Sequence, residues 1–159
     1  MARFDMSGLD ETIREMRRMG QASGALATAM LQAGAEEVKQ AWKRAAEEHE
    51  LRDTGDMIDS IGFAREPVNV GDVLSIDIYP QGKDRKGVRN AEKAFMLHYG
   101  TSSIPTTRWI DDADAYSEQT AVPAMQAVFD AYVATGRVPE VQLSPNNASG
   151  QRGTRKTTN

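Results

Sequence analysis

Residues 91–109 read AEKAFMLHYGTSSIPTTRW. An apolar, aromatic run stops at Tyr99-Gly100-Thr101, turns through two serines and Pro105, and returns at once to Trp109. Two readings are open. Either His98 and the hydroxyls of Thr101, Ser102 and Ser103 form a catalytic loop, or the stretch is an elbow that fixes two elements against each other and presents a surface to a neighbouring subunit. Composition suits the elbow. Gly100 permits backbone angles other residues avoid, and the hydroxyls can bond local backbone groups. Pro105 stiffens the exit, while Tyr99 and Trp109 offer broad, rigid apolar faces of the kind found at protein contacts. An ordinary corner inside the core is the competing possibility, and it predicts a buried Trp109.

On either side of the elbow the pattern is legible. Residues 91–99 are a short helix or a strand; periodicity does not settle which. Residues 110–136 are helical in pattern, with Val122, Met125, Phe129 and Tyr132 on one face. Pro123 sits inside that run, so the helix kinks there or a new one starts near it. Further upstream, Leu74, Ile76 and Ile78 alternate with Ser75 and Asp77 in VLSIDIYP (73–80), the clearest strand signal in the chain. Ile61 and Phe63 alternate likewise. The turn residues of EPVNVGD (66–72) between them predict an antiparallel hairpin.

The first fifty residues are helical. A short amphipathic helix is expected in SGLDETIREMRRMG (7–20), where Ser7 and Asp10 have capping-box spacing, Leu9, Ile13 and Met16 recur, and Gly20 suits the exit. A second helix covers roughly residues 22–50, with Leu26, Met30 and Ala33 continued by Val38, Ala41, Trp42 and Ala45. Gly34 is a point of possible interruption, and the many alanines allow close approach of another helix or subunit. Thr54 and Gly55 end the pattern, and Asp56 can cap one short turn. The fold class is α+β: a long N-terminal helix and a C-terminal helix packed on a small antiparallel sheet.

A chain of 159 residues suits one domain. We place it at 1–135, followed by a flexible basic tail, 136–159, that has almost no large apolar residue after Leu143. Net charge is −4, and the tail carries Arg137, Arg152, Arg155 and Lys156 against Glu140 alone, so the body is the more acidic part. An acidic body is a poor general binder of nucleic acid. The tail reads as solvated, with contact to DNA or an acidic partner as the alternative. There is no cysteine, hence no disulfide, thiolate nucleophile or Cys-ligated zinc. No run approaches the ~18–20 apolar residues of a membrane span, and the charged N-terminus lacks the centre of a secretory signal. The expectation is a cytoplasmic product with no membrane partner.

Chemistry is scarce. His49 lies in AEEHE among Glu47, Glu48 and Glu50, but adjacent helical positions diverge and the HExxH spacing is missing. His98 lacks a G-x-S-x-G elbow and any carboxylate close in sequence. GKDRKG (82–87) is followed by Val88 and Arg89 rather than Lys-Ser/Thr, which excludes a standard P-loop. Lys83, Arg85, Lys86 and Arg89 remain a positive patch, wet by default and otherwise facing DNA or an acidic partner. DDAD (111–114) lies where a helix begins, and the helix dipole accounts for its carboxylates. No enzyme, cofactor or metal signature is present.

The order of these pieces is informative. GLDETIREMRRMG, a long alanine-rich helix, TGDMIDSI (54–61), a strand pair, AFMLHYGTSSIP (94–105) and RWIDDA (108–113) leading into a last helix together resemble the neck and tail-component family of long-tailed bacteriophages. The likeness covers most of residues 8–134. Its most specific parts are Thr54-Gly55 with Ser60-Ile61, and Tyr99-Gly100-Thr101 followed by Pro105. Two departures stand out: His98 where the family usually has an acidic residue, and Arg108 where a proline commonly precedes the large apolar residue.

The resemblance implies a non-enzymatic virion protein, assembled in the host cytoplasm, forming a ring between capsid portal and tail tube with DNA passing through. Self-association as a hexamer is expected, with a dodecamer as the alternative, and the neighbours would be an adaptor, stopper or tail terminator and the tail tube. Candidate subunit contacts are Tyr99, Gly100, Thr101, Pro105, Arg108, Trp109 and Trp42; Lys83, Arg85, Lys86 and Arg89 are the candidates for facing DNA or an acidic partner. A small nucleic-acid-binding or packaging accessory protein is the second hypothesis, and a hydrolase built on His98 the third.

Overall fold

A computed structural model describes residues 7–71 and 73–145. Residues 1–6, Asp72 and residues 146–159 lie outside the described residues, and with them Arg152, Arg155 and Lys156 of the basic tail. Side chains in the first turns of the chain, including the proposed Ser7–Asp10 capping box and the Leu9, Ile13 and Met16 stripe, are likewise outside them.

The first element, α1, is one helix of 42 residues, Ser7–Glu48, about 60 Å long at 1.5 Å per residue. It does not stop at Gly20. A single interior glycine costs only about 1 kcal/mol, and Ser23 Oγ donates back to the Gly20 carbonyl within the running helix, at 2.7 Å. Gly34 does not interrupt it either. A Cβ there would lie 2.9 Å from Met125 Sδ, so this glycine is the close-approach point of α1 and the last helix. The chain leaves α1 through Glu50, at φ 55°, with the Leu51 amide donating to the Ala46 carbonyl. It then makes one short helix, α2, Asp56–Asp59.

The β region is an excursion rather than a simple hairpin. Strand β1 (Ile61–Phe63) pairs antiparallel with β4 (Ile78–Pro80), with Gly62 opposite Tyr79. Between them β2 (Val68–Val70) pairs with β3 (Val73–Ser75), with Asn69 opposite Leu74. VLSIDIYP is therefore split at Ile76-Asp77, and the VNV expected to turn is itself a strand; the reversal comes at Gly71, where φ is 63°. Residues 64–67 face only 76–77, and this unequal spacing sets the base ribbon apart from the tip. At the base, Gln32 Nε2 donates to the Arg65 carbonyl at 2.8 Å and ties the arm to α1.

Residues 90–99 resolve as helix α3, Asn90–Tyr99, and α4 runs from Trp109 to Thr135 with Pro123 inside it. The proline neither ends the helix nor starts a new one. Helices α1 and α4 pack antiparallel: Arg44 sits over the Tyr116 ring at 4.1 Å, and Gly34 meets Met125. On α4 the covered positions are Trp109, Ala113, Val128 and Tyr132, whereas Val122 is 67% exposed and drops out of the expected face. The core gathers Ala45, Ala46, Met57, Ile58, Ile61, Ala94, Trp109 and Ala113, with Trp42 packed on its edge. Small residues on α1 let large ones from α2, β1 and α4 pack closely against it.

Candidate assembly surface

The elbow is held from within. Gly100 takes φ 79°, and a Cβ would lie 2.8 Å from the Thr106 amide nitrogen and 2.9 Å from the Ile104 carbonyl oxygen, so no side chain fits. Thr101 Oγ1 accepts from the Ser103 and Ile104 amides at 3.3 and 3.1 Å, and the Thr101 amide donates to the Ile104 carbonyl. Thr106 and Thr107 hydroxyls donate to the His98 and Leu97 carbonyls, at 2.6 and 2.7 Å. These hydroxyls complete the backbone of the α3–α4 connection.

Trp109 is fully enclosed in the subunit's own core. Its Nε1 donates to the Ala94 carbonyl at 3.1 Å, and Trp42 meets it edge-on with ring centres 5.4 Å apart. Arg108 precedes it in the left-handed region, φ 55° and ψ 26°, an angle closed to proline. Its guanidinium reaches Asp111 at 2.8 Å and lies 6.0 Å from the centre of the Tyr99 ring.

His98 joins α3 to the start of α4. The Ile110 amide donates to its Nδ1 at 3.2 Å, which places the proton of the neutral ring on Nε2, 3.8 Å from Asp111. No hydroxyl bonds to the ring among the described residues. His49, expected at a solvated helix end, stands just past the end of α1 and pairs there with Asp112 of α4 at 2.6 Å. Glu48 binds Tyr116 and Arg44, and Glu47 binds Arg52. In the acidic run at the start of α4, Asp111 pairs with Arg108 and Asp112 with His49. Asp114 alone is pushed up, by burial and then by Asp111 and Glu118. Among the described residues no group of three or more His, Asp or Glu could hold a metal ion.

The basic loop is organised by a residue not singled out from sequence. Asp84 Oδ1 accepts from the Lys86 and Val88 amides at 2.9 and 2.8 Å, and its other oxygen pairs with Lys93. The Lys93 bond, more than the backbone bonds, holds this carboxyl below its usual range. Lys83, Lys86 and Arg89 are exposed, while Arg85 reaches Asp56 at 3.2 Å. An Asp two residues before an amide it caps is a local signal that sequence alone carries.

What remains uncovered is apolar. On α3, Phe95 and Tyr99 stack with ring centres 6.4 Å apart; Phe95 is 49%, Met96 38% and Tyr99 65% exposed. Thr101, Pro105 and Arg108 are exposed beside them. The sequence-derived contact set is thus divided, with Tyr99, Thr101, Pro105 and Arg108 outside, Gly100 half-buried, Trp42 half-buried against the core and Trp109 within it. Phe95 and Met96 were missed because AFML reads equally as core.

A family model described as "Bacteriophage HK97-gp10, putative tail-component" matches residues 10–100. The chain belongs to this HK97-gp10-like family. Neither a curated protein nor a solved structure matches it. HK97-gp10-like membership gives the chain a structural role in a phage tail and a place in the virion, among other tail proteins. The matched span takes in α1 to α3 and stops at Gly100, so the elbow's serines and α4 lie beyond it. No helix among the described residues is long and apolar enough to cross a membrane.

The start of the expected tail is held by the chain itself. Lys39, fully buried, donates to the Ser144 carbonyl at 3.0 Å and pairs with Glu36 at 3.1 Å. The Ser144 hydroxyl bonds Glu36, and Gln40 reaches both. Burial pushes the Glu36 carboxyl up, but the bonds from Ser144, Gln40 and Lys39 together bring it below its ordinary value. Ser144 therefore returns the chain to α1.

Proposed function

We propose that this chain is a ring-forming subunit of the phage neck or tail, joining the capsid portal side to the tail tube and leaving a lumen for DNA. The observation that carries the proposal is the uncovered strip Phe95, Met96 and Tyr99 on a member of a tail-component family. A subunit that lives between copies needs apolar surface outside its own core, and aromatic residues are the most effective there. Identical subunits placed head to tail close into rings when the rotation permits. Six copies are expected, with twelve as the alternative. Its neighbours would be an adaptor, stopper or tail terminator and the tail tube, and assembly would take place in the host cytoplasm. A net charge of −4 suits a lumen along which DNA slides instead of sticking. The chemistry is assembly; no bond is made or broken.

Negative-stain imaging of the purified protein tests this. Ring-shaped particles with a central hole are the expected result, and their absence at every concentration contradicts it. A second reading, a nucleic-acid-binding or packaging accessory protein, is favoured by the outward Lys83, Lys86 and Arg89. A monomer that binds duplex DNA with a steep salt dependence would select that reading.

A further inference from the structure

We infer that the segment ahead of α1, Arg3-Phe4 with Met6, docks in trans, seating in the apolar groove between the α1–α2 connection and α3 of the next copy. This rests on the ring reading above and names the surface and partner that reading requires.

The groove is the receptor. It encloses about 510 Å³ and is lined among others by Leu51, Met57, Val88, Leu97 and Ile104, together with Met96 of the uncovered α3 strip. An apolar hollow of that size takes an aromatic ring and an aliphatic neighbour. Its charges are uneven. Arg52 pairs with Glu47 and Asp59, and Lys93 pairs with Asp84. Glu50 and Asp53 line the same groove, are exposed, and hold no ion pair among the described residues. The unmatched charge at the groove is therefore acidic, and its occupant should bring large apolar side chains with a cation beside them.

Residues 1–6 read MARFDM, with Phe4 and Met6 apolar and Arg3 cationic. Asp5 stands two residues ahead of the start of α1, where the helix dipole favours an acid. Residues 146–159 read NNASGQRGTRKTTN, basic but without one large apolar side chain. Of the two stretches, the first has the side chains to fill the groove.

Geometry decides which copy supplies it. The groove is lined by residues 50–55, just past the last residue of α1, whereas Phe4 precedes the first by three residues. Three residues of extended chain reach at most about 10 Å, and α1 is about 60 Å long. A subunit cannot fill its own groove with Phe4. Nor does its own body take up the start of α1. Gly34 meets Met125 and Arg44 covers Tyr116, so the end of α4 at Thr135 comes level with the turn that holds Gly24. Beyond that turn α1 runs on for about 25 Å to Ser7. Among the described residues, a Cβ at Gly20 or Gly24 would meet nothing within 4 Å. The helix thus carries Arg3 and Phe4 away from their own body and toward a second copy. Segment and groove are different surfaces, so the contact is head to tail, the type that closes into rings.

The absence of native cysteine makes the test direct. Asp5→Cys and Val88→Cys proteins are mixed and mildly oxidised; Asp5 adjoins Phe4, which is retained, and Val88 lines the groove. A disulfide-linked dimer in the mixture, absent from either protein alone, is expected. Cross-linking of Asp5→Cys with itself would mean that the segments meet one another and overturns the inference. So does a mixture that stays uncross-linked while the unmodified protein forms rings; that outcome leaves the ring reading standing. An unmodified protein that never associates removes both. In parallel, Arg3→Ser with Phe4→Ser should raise the assembly midpoint by more than about tenfold with an unchanged melting temperature. Unchanged assembly overturns the inference, as does assembly lost only when residues 146–159 are deleted, which would seat the basic tail in the groove instead.

Discussion

The elbow and the β2–β3 arm both reverse the chain beside large apolar residues, and they dispose of those residues in opposite ways. At the elbow Trp109 is enclosed, its indole N–H bonded to the Ala94 carbonyl, and the loop hydroxyls are bonded to backbone. At the arm, three valines face water. The first region holds the subunit together; the second, with the Phe95–Tyr99 strip, is surface left for something else. Substitutions in the two regions should therefore separate stability from assembly.

The largest effect belongs to the elbow. Trp109→Ala leaves a void beside Trp42 and Ala94 and should cost about 3–5 kcal/mol, seen as a melting-temperature fall of roughly 10 °C or more. A fall of only a degree or two would mean that the corner is not the keystone described here. Next is Gly100→Ala, whose Cβ collides with backbone at Thr106 and Ile104. We expect a loss of about 2 kcal/mol or more in urea denaturation; a neutral result would show the elbow to be pliable. His98→Ala leaves the Ile110 amide without its acceptor and should cost about 1–3 kcal/mol, with ring formation intact once folded.

A smaller effect concerns pH. The Asp84 carboxyl is held below its unfolded value by Lys93 and the loop amides, so below the ordinary range the unfolded chain binds the extra proton. The stabilisation is complete above about pH 4 and is lost as pH falls toward the lowered folded value. Asp84→Asn should flatten the acid limb of the stability curve, checked by melting temperature from pH 6 to pH 2.5. A curve superimposable on the unmodified protein's would remove Asp84 from the account. Smallest of all, Val70→Ala and Tyr99→Ala should leave stability within about 0.5 kcal/mol, while Tyr99→Ala weakens assembly.

The same contrast explains what could be read from sequence. The α+β class, the α4 helix and the elbow chemistry of Gly100 and Thr101 follow from local rules, and the structure has them. Continuity of α1 through Gly20 does not, because one glycine is a weak stop and only the whole helix shows it is overridden. The split of residues 73–80 into two strands was hidden for a related reason. Its alternation is real, but pairing partners are set by tertiary contacts. Val122 on α4 misleads in the same way, since an apolar residue looks alike whether it faces a core or the outside. Lys39, a lysine wholly inside, was invisible until Glu36 and Ser144 came together around it.

Sedimentation velocity across a wide concentration range, at moderate salt, reads self-association itself. A ring-forming subunit gives one discrete species of several subunits in exchange with monomer, its fraction rising with concentration. A single monomeric boundary at every concentration would contradict it.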